Sequence, residues 1–519
     1  MKKIFYSIIS FVTLTMGSCS QSMLEFSPTD SGSAEELLKA ASTAITSVNG
    51  VYRSMWTAGW STTANTHQCF GIAAYNLALD CMADDLIMQS QGNGWFWGDH
   101  CYNVKSNYTS SAFRSYDVWY ANYKWIANVN YIIDAEPEMA GTEADVAYVA
   151  GQAYAIRALC YLNLATWFSR APYNSLTGAS RWNEPCVPVY TTGTSIDTGG
   201  QPRESLRTVY GRIDQDIDRA IELLEKARET TLAENNKSHI NLYVALGIKS
   251  RACLAEGDWD GAFKAAKRVI DEGGYAVGTK SDLTGGMNSL DKQNVMWGAG
   301  IQVADQAGGY AGFFTHMDNK EGAYAKSAPK LISKQLYNRI SATDIRRDWW
   351  DPSDKESPYV SKKFSFANVA SFLGDYIYMR VEEMYFTAAE AALRLDDLKS
   401  ARELMNTVMA ERDPGYSANN RSGTLLGATT TTWTGSFLEN ILTHRRIELW
   451  GEYGRLFDVR RLGQGIDRRT DDGFSEECIS MMNRRNVNIT KADTYDWVLT
   501  IPKAELDANP NINEEDQNP

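Results

Sequence analysis

Three sets of residues in this chain have the chemistry to act on, or hold, another molecule. The first is acidic. Asp80, Asp84 and Asp85 could supply a carboxylate pair, and glycoside hydrolysis needs two carboxylates at a set separation. Sequence does not fix that separation, and acids at helix ends are ordinarily solvated. The second set is the five histidines, His67, His100, His239, His316 and His444, which are scattered and show no paired-ligand spacing. His444 and Glu448 stand one turn apart, but inside a stripe of other charges. No nucleophile elbow, Walker loop or dinucleotide fingerprint occurs, and Gly308–Gly312 lacks the strand-turn-helix setting that phosphate binding needs. These residues predict no metal, no cofactor and no catalytic group.

The third set is aromatic, and its pattern is more pointed. Gln89–Tyr102 places Trp95, Phe96 and Trp97 in a polar, glycine-rich stretch beside Asn93, Asp99 and His100. Ala307–His316 does the same with Tyr310, Phe313 and Phe314. A sugar ring has an apolar C–H face and a rim of hydroxyls. It is held by stacking on flat rings, with amides and carboxylates bonding the rim. Asn93, Trp95, Trp97, Asp99, His100, Tyr310, Phe313 and Phe314 are therefore the expected ligand contacts. The competing reading is that these rings anchor the loops to a core. Trp349 and Trp350, beside Asp351-Pro352, are a weaker third cluster.

Something must position these loops, and helical periodicity shows what. Residues Ala252–Ile270 align with Ala391–Met409, each a helix, a tight turn and a second helix starting at Trp259 or Leu398. Small residues at the crossings let such hairpins pack closely, as in tetratricopeptide arrays. Ile213, Ile217, Ala220, Ile221 and Leu224 mark another apolar stripe. Between the helices run irregular segments near 61–108, 173–202, 275–329 and 416–434, rich in Gly, Ser, Thr, Asn and aromatics. Loops this long inside one body are uncommon unless they bind something. The expected fold is mostly α: a tetratricopeptide-like scaffold of helical hairpins carrying a large, irregular ligand-binding layer.

Two stretches, Tyr378–Arg412 and Thr443–Leu462, weave charges into apolar stripes. Arg445, Arg446, Glu448, Glu452, Arg455, Asp458, Arg460 and Arg461 alternate with Ile447, Leu449, Trp450, Leu456 and Phe457. Charges so placed must be buried in pairs, because a lone buried charge is too costly. The same stretches resemble two signature helices of the SusD/RagB family. Arg380, Glu383, Ala389, Glu390 and Ala391 match the first. Arg445, Arg446, Glu448, Leu449, Glu452, Arg455, Asp458 and Arg461 match the second. The chain departs from the pattern at Glu382, Phe386, Gly451 and Tyr453, departures that touch local packing. Ser47–Trp56, Val118–Ile133, Gln152–Ala171 and Arg203–Leu224 resemble family helices in order, and Ile501–Pro519 resembles the family's closing segment. The resemblance implies an outer-membrane lipoprotein that binds a nutrient, an oligosaccharide first among the candidates. It would then deliver that nutrient to a SusC-like TonB-dependent transporter. Two rivals stay open: a peptide-binding or interaction scaffold of the same architecture and, more distantly, a glycan hydrolase.

The amino terminus supports export. Lys2 and Lys3 precede an apolar run, Ile4–Met16, too short to span a bilayer. It ends at Met16-Gly17-Ser18-Cys19, a lipobox, so residues 1–18 read as a lipoprotein signal peptide and 19–519 as a single body. Lipidation at Cys19 would anchor that body to the outer membrane, facing the cell exterior. The formal charge of −13 argues against nucleic acid as a partner. The remaining cysteines, Cys69, Cys81, Cys101, Cys160, Cys186, Cys253 and Cys478, are odd in number and lack any C-x-x-C. They indicate neither a zinc site nor a full disulfide framework, and Cys160 and Cys253 read as buried thiols. Cys19→Ala should abolish incorporation of radioactive fatty acid and release the protein from the membrane fraction. Undiminished labelling of the variant would overturn the lipoprotein assignment.

Overall fold

The structure is a computed structural model that describes residues 34–59, 65–102, 113–195, 197–233, 237–302, 311–492 and 494–519. The signal peptide, Cys19 and Tyr310 lie outside the described residues. The main helices in chain order are α1 (Ala41–Ser54), α2 (Ile72–Met82), α3 (Phe113–Ala135), α4 (Glu143–Phe168), α5 (Leu206–Lys226) and α6 (Leu242–Glu256). They continue with α7 (Trp259–Glu272), α8 (Val381–Arg394), α9 (Leu398–Ala410), α10 (Phe437–Glu448), α11 (Arg455–Leu462) and α12 (Glu476–Arg484). From α3 to α9 each helix packs on the one before it, the tetratricopeptide-like run read from the sequence. Among the described residues no helix is long and apolar enough to cross a membrane.

The internal repeat owes its shape to two turns. After α6, Gly257 takes a left-handed φ of 77°, and the Asp258 side chain caps α7 by accepting from the Gly261 N–H. After α8, Asp396 takes the same left-handed place at φ 62°, and Asp397 caps α9 by accepting from the Ser400 N–H. The second unit thus uses an aspartate where the first uses glycine, a substitution that short polar side chains tolerate. Cys160 and Cys253 are buried, as expected.

Strands are few and short. An antiparallel pair joins β2 (Val295–Ala299) to β6 (Tyr376–Arg380), with irregular register around Trp297. A small sheet of two-residue strands runs in the order β1 (Leu86–Ile87), β3 (Leu331–Ile332), β5 (Val360–Ser361), β4 (Trp350–Asp351). β6 leads directly into α8, which delivers Arg380 to the charged centre of the molecule.

That centre is the network predicted from the interleaved helices, and it is buried. Glu448, 0% exposed, accepts from Arg380 Nη1 and Arg412 Nη2 at 2.9 Å on one oxygen. Its other oxygen takes Arg346 Nη1 at 3.0 Å and Arg412 Nε at 3.1 Å. Glu452 accepts from Arg380 at 2.7 Å and Lys363 at 2.6 Å. Glu382 accepts from Arg412 at 2.7 Å, and Asp344 closes the set on Arg346 at 2.6 Å. Four acids therefore meet four cations. Glu382 is one of the departures from the family pattern, and its effect goes beyond packing, because its carboxylate neutralises Arg412. Gly451, another departure, has φ 75°, and a Cβ there would meet the Phe364 ring at 2.7 Å.

Two further clusters extend the core. Asp458 bonds Arg445 and Arg461 at 2.8 Å, Arg461 bonds Glu390 at 2.7 Å, and Glu383 bonds Arg251 at 2.7 Å. Burial would raise the Glu448 carboxyl, but Arg412, Arg380 and Arg346 outweigh it and hold the group well below its usual range. Glu448→Ala would leave three guanidiniums without their shared acceptor. It should remove at least ~3–5 kcal/mol of unfolding free energy in a urea titration. A near-wild-type midpoint combined with lost ligand binding would instead make this cluster a binding site.

Candidate ligand-binding site

The two aromatic loops do meet, the Phe96 ring edge-on to His316 with centroids 5.0 Å apart, and the first also packs closely on the chain that follows the second. A Cβ on Gly92 would stand 2.6 Å from the Ser327 carbonyl oxygen, and the φ of 51° there is left-handed. Asn93 is exposed, and its Oδ1 accepts from Ser327 Oγ at 2.9 Å. Phe96, also left-handed at φ 60°, is held because its N–H donates to Gln68 Oε1 at 2.8 Å. That turn sends neighbouring rings in different directions: Phe96 and Trp97 go into the core, while Trp95 stays half-buried at the surface.

Trp95 lies nearly parallel to His67, with centroids 4.8 Å apart and planes 18° apart, and Tyr324 meets it edge-on at 6.1 Å. Its Nε1 has no hydrogen-bond partner among the described residues. His67 is fixed in turn by the Tyr324 hydroxyl on Nδ1 and by its own carbonyl, which accepts from His316 Nε2 at 2.6 Å. Burial, reinforced by the nearby Lys330 ammonium, keeps His316 well below its ordinary pKa and so neutral. Trp95, His67 and Tyr324 thus form a buttressed aromatic face, with the Asn93 amide beside it. His67 and Tyr324 were not among the residues expected from sequence, because each looks unremarkable in its own segment.

Most of the other expected contacts are turned inward. Trp97 is 4% exposed and tilts against His100. Asp99 is buried and takes both Nε and Nη2 of Arg114, at 2.9 and 3.0 Å. His100 is buried, stacks on Phe474 and bonds the Cys81 carbonyl at 3.0 Å. Phe313 and Phe314 pack with Tyr376, Phe364 and Phe366. These five side chains anchor the loops to the core and offer no open face to a ligand. Trp349 and Trp350 are buried as well, with Trp349 Nε1 donating to the Leu283 carbonyl at 2.8 Å.

A second aromatic surface lies outside the contacts expected from the sequence. Trp119, Tyr120, Tyr123 and Tyr190 line a cleft of about 380 Å³, with Lys124 and Glu505 at its edge. Tyr116 and Tyr120 stack at 5.4 Å on the same helix face, and Trp119 Nε1 donates to Glu505 at 3.2 Å. The spacing of Tyr116, Tyr120 and Tyr123 along α3 was the available signal.

Two family models match the chain. One, described as the SusD family, matches residues 326–519. The other, described as starch-binding and associating with the outer membrane, matches residues 42–254. Comparison with curated proteins gives no match. Among solved structures, a SusD-like carbohydrate binding protein from Bacteroides vulgatus ATCC 8482 is 25% identical with a TM-score of 0.73, over 92% of this chain and 98% of that one. A SusD superfamily protein from Bacteroides thetaiotaomicron VPI-5482 is 22% identical with a TM-score of 0.72, over 92% of this chain and 100% of its own. Surface glycan-binding protein A from Bacteroides thetaiotaomicron, solved in complex with laminarihexaose, is 16% identical with a TM-score of 0.65, over 92% and 99%. The last two likenesses are likenesses of fold.

The acids in and just after α2 are structural rather than solvated. Arg446 bonds Asp85 at 2.6 Å and Asp84 at 3.0 Å, and Arg455 reaches both at 3.1 Å. Asp80 accepts the Arg455 N–H at 2.8 Å, while its Oδ2 has no partner among the described residues. Burial therefore pushes Asp80 up to about 8, with Asp85 adding to the rise. The folded protein holds a proton here that the unfolded chain gives up near its ordinary value of 3.8. That contribution to stability is complete below this value and is lost as pH rises through about 8. Asp80→Asn keeps the shape without the charge. It should raise the Tm at pH 8 and flatten its fall across that window; an unchanged pH profile would mean Asp80 is ionised in the fold.

Proposed function

We propose, from the premise that this chain belongs to the SusD/RagB family, that it is a lipid-anchored carbohydrate-binding protein of the outer-membrane surface. It captures an oligosaccharide and passes it to a SusC-like TonB-dependent transporter. The observation that carries this reading is the Trp95 face. A flat indole, backed by His67 and Tyr324 and flanked by the exposed Asn93 amide, matches the two chemistries of a sugar ring. Tyr310 is kept as a proposed ligand contact on its sequence pattern alone. The family matched over residues 42–254 is described as starch-binding, and a neighbour of the same fold holds laminarihexaose. Binding proceeds without turnover: the ligand is stacked, held by its hydroxyls and released to the transporter intact.

A glycan array followed by calorimetry on the chain lacking residues 1–18 identifies the ligand and gives its affinity. Trp95→Ala should then weaken binding by about thirtyfold, the ~2 kcal/mol typical of a truncated aromatic anchor, with the Tm unchanged. Wild-type affinity in Trp95→Ala together with lost affinity in Tyr120→Ala would move the site to the cleft on α3. Steady release of shortened glycan by the purified protein would overturn the non-catalytic reading.

A further inference from the structure

Cys101 and Cys478 come from opposite ends of the chain and meet in the core. Cys101 follows the short helix Trp97–His100 that closes the Trp95 loop, and Cys478 lies in the first turn of α12, whose cap is Ser475. Both side chains are 0% exposed. Cys478 Sγ stands 3.6 Å from the His100 carbonyl oxygen, one residue from Cys101, and the two side chains, both free thiols here, are near enough to perturb each other's ionisation. The pair is held from both sides. Arg468 reaches Cys478 Sγ at 3.8 Å and also bonds the His100 carbonyl, and Arg485 donates to the Cys101 carbonyl at 3.4 Å. Cys186, by contrast, donates to the Ser169 hydroxyl at 3.4 Å.

We propose that Cys101 and Cys478 form a disulfide in the mature protein, stapling the Trp95 loop to the α12 segment. The proposal rests on export of the chain, because a cytoplasm rich in reducing thiols would keep both groups reduced. The oxidant is a disulfide, either of a thiol oxidoreductase or of oxidised glutathione. Cys478, reached before the fold buries it, attacks one sulfur of that disulfide as the thiolate. The oxidant's first sulfur leaves as a thiol and a mixed disulfide remains on Cys478. Cys101 then gives up its proton and attacks the Cys478 sulfur, expelling the oxidant's second sulfur as a thiol. Two protein thiols lose two electrons and one disulfide gains them, so the exchange balances. Since neither thiol is exposed in the fold, exchange takes place while the chain folds, and the finished bond is then shielded from reductant. The bond closes a loop across most of the chain, where a cross-link restricts the denatured ensemble strongly.

Refolding the urea-unfolded chain lacking residues 1–18 in a reduced and oxidised glutathione mixture, then alkylating and mapping peptides by mass, tests the pairing. The expected product links the Cys101 and Cys478 peptides, lighter than the two thiols by two hydrogens, with the other cysteines alkylated. Its Tm should exceed that of the same protein refolded in reductant. Cys101→Ser should leave Cys478 alkylated and match the reduced protein. Alkylation of both cysteines in natively refolded protein overturns the pairing itself. Protein acid-quenched from intact cells forms the second arm. Linkage in the test tube with free thiols in the cell overturns export to an oxidising compartment, and with it the disulfide of the mature protein, while glycan binding is measured separately.

Discussion

The fold turns on Glu448. One carboxylate at the end of α10 takes hydrogen bonds from three guanidiniums, and those arginines come from three separate places: Arg346 after β3, Arg380 at the end of β6, and Arg412 after α9. Removing an ion from water costs several kcal/mol even after relaxation. The arrangement is tolerable only because the cluster is neutral in sum and nearly every oxygen has a donor. Such a cluster has little tolerance for error. If β6 slipped by one residue, Arg380 would face away and leave Glu448 and Glu452 with fewer partners than charges. The network therefore specifies register as much as it adds stability.

From this centre the loop layer is held from beneath. Lys363 donates to the carbonyls of Glu448 and Trp450 at 2.7 and 2.8 Å, tying the segment after β5 to α10. Glu382 accepts from the Gly278 N–H at 2.8 Å and from Asn294 at 3.0 Å, tying two stretches of the 275–329 insertion to the start of α8. Arg446 and Arg455 do the same for the turn after α2 through Asp84 and Asp85, and that turn leads by way of β1 into the Trp95 loop. Within that loop, Arg114 clamps Asp99. A single polar framework thus runs from the scaffold to the candidate site.

The framework was legible in the sequence and the site was only partly so, for one physical reason. Arg445, Glu448, Glu452, Arg455 and Asp458 announce their burial because charges at apolar positions have few affordable fates. The repeated hairpins announce themselves by helical period, with Asp258 and Asp397 marking the same turn twice. Irregular loops carry no such period. Nothing in Gly-Trp-Phe-Trp-Gly says which ring turns outward; that is set by the left-handed backbone at Phe96 and its bond to Gln68. The partners that buttress Trp95 arrive from segments distant in sequence, and so do Phe474 on His100 and Phe364 on Phe313. The tyrosine stripe on α3 does have a period, but a period alone does not tell a stripe that binds from one that packs.

The inward turn of so many loop aromatics bears on how the remaining one can work. A left-handed non-glycine residue is sparsely populated, and holding one costs about 1 kcal/mol or more. Here that strain is offset locally, by the Gln68 bond at Phe96 and by the burial of Phe96 and Trp97. The Trp95 ring is consequently oriented before any ligand arrives, with His67 against it and Tyr324 at its edge. A mobile tryptophan would lose rotamer freedom on binding, at roughly 0.5–1.5 kcal/mol for each side chain immobilised. A preset one spends that during folding, so at the proposed site more of the stacking energy would appear as affinity. For a protein that must hold a hydrated ligand such as a sugar, whose hydroxyls gain little from exchanging water for protein donors, this preorganisation is where selectivity has room to act. The buried aromatics that looked like binding residues then contribute indirectly, by fixing the geometry of the one that stays at the surface.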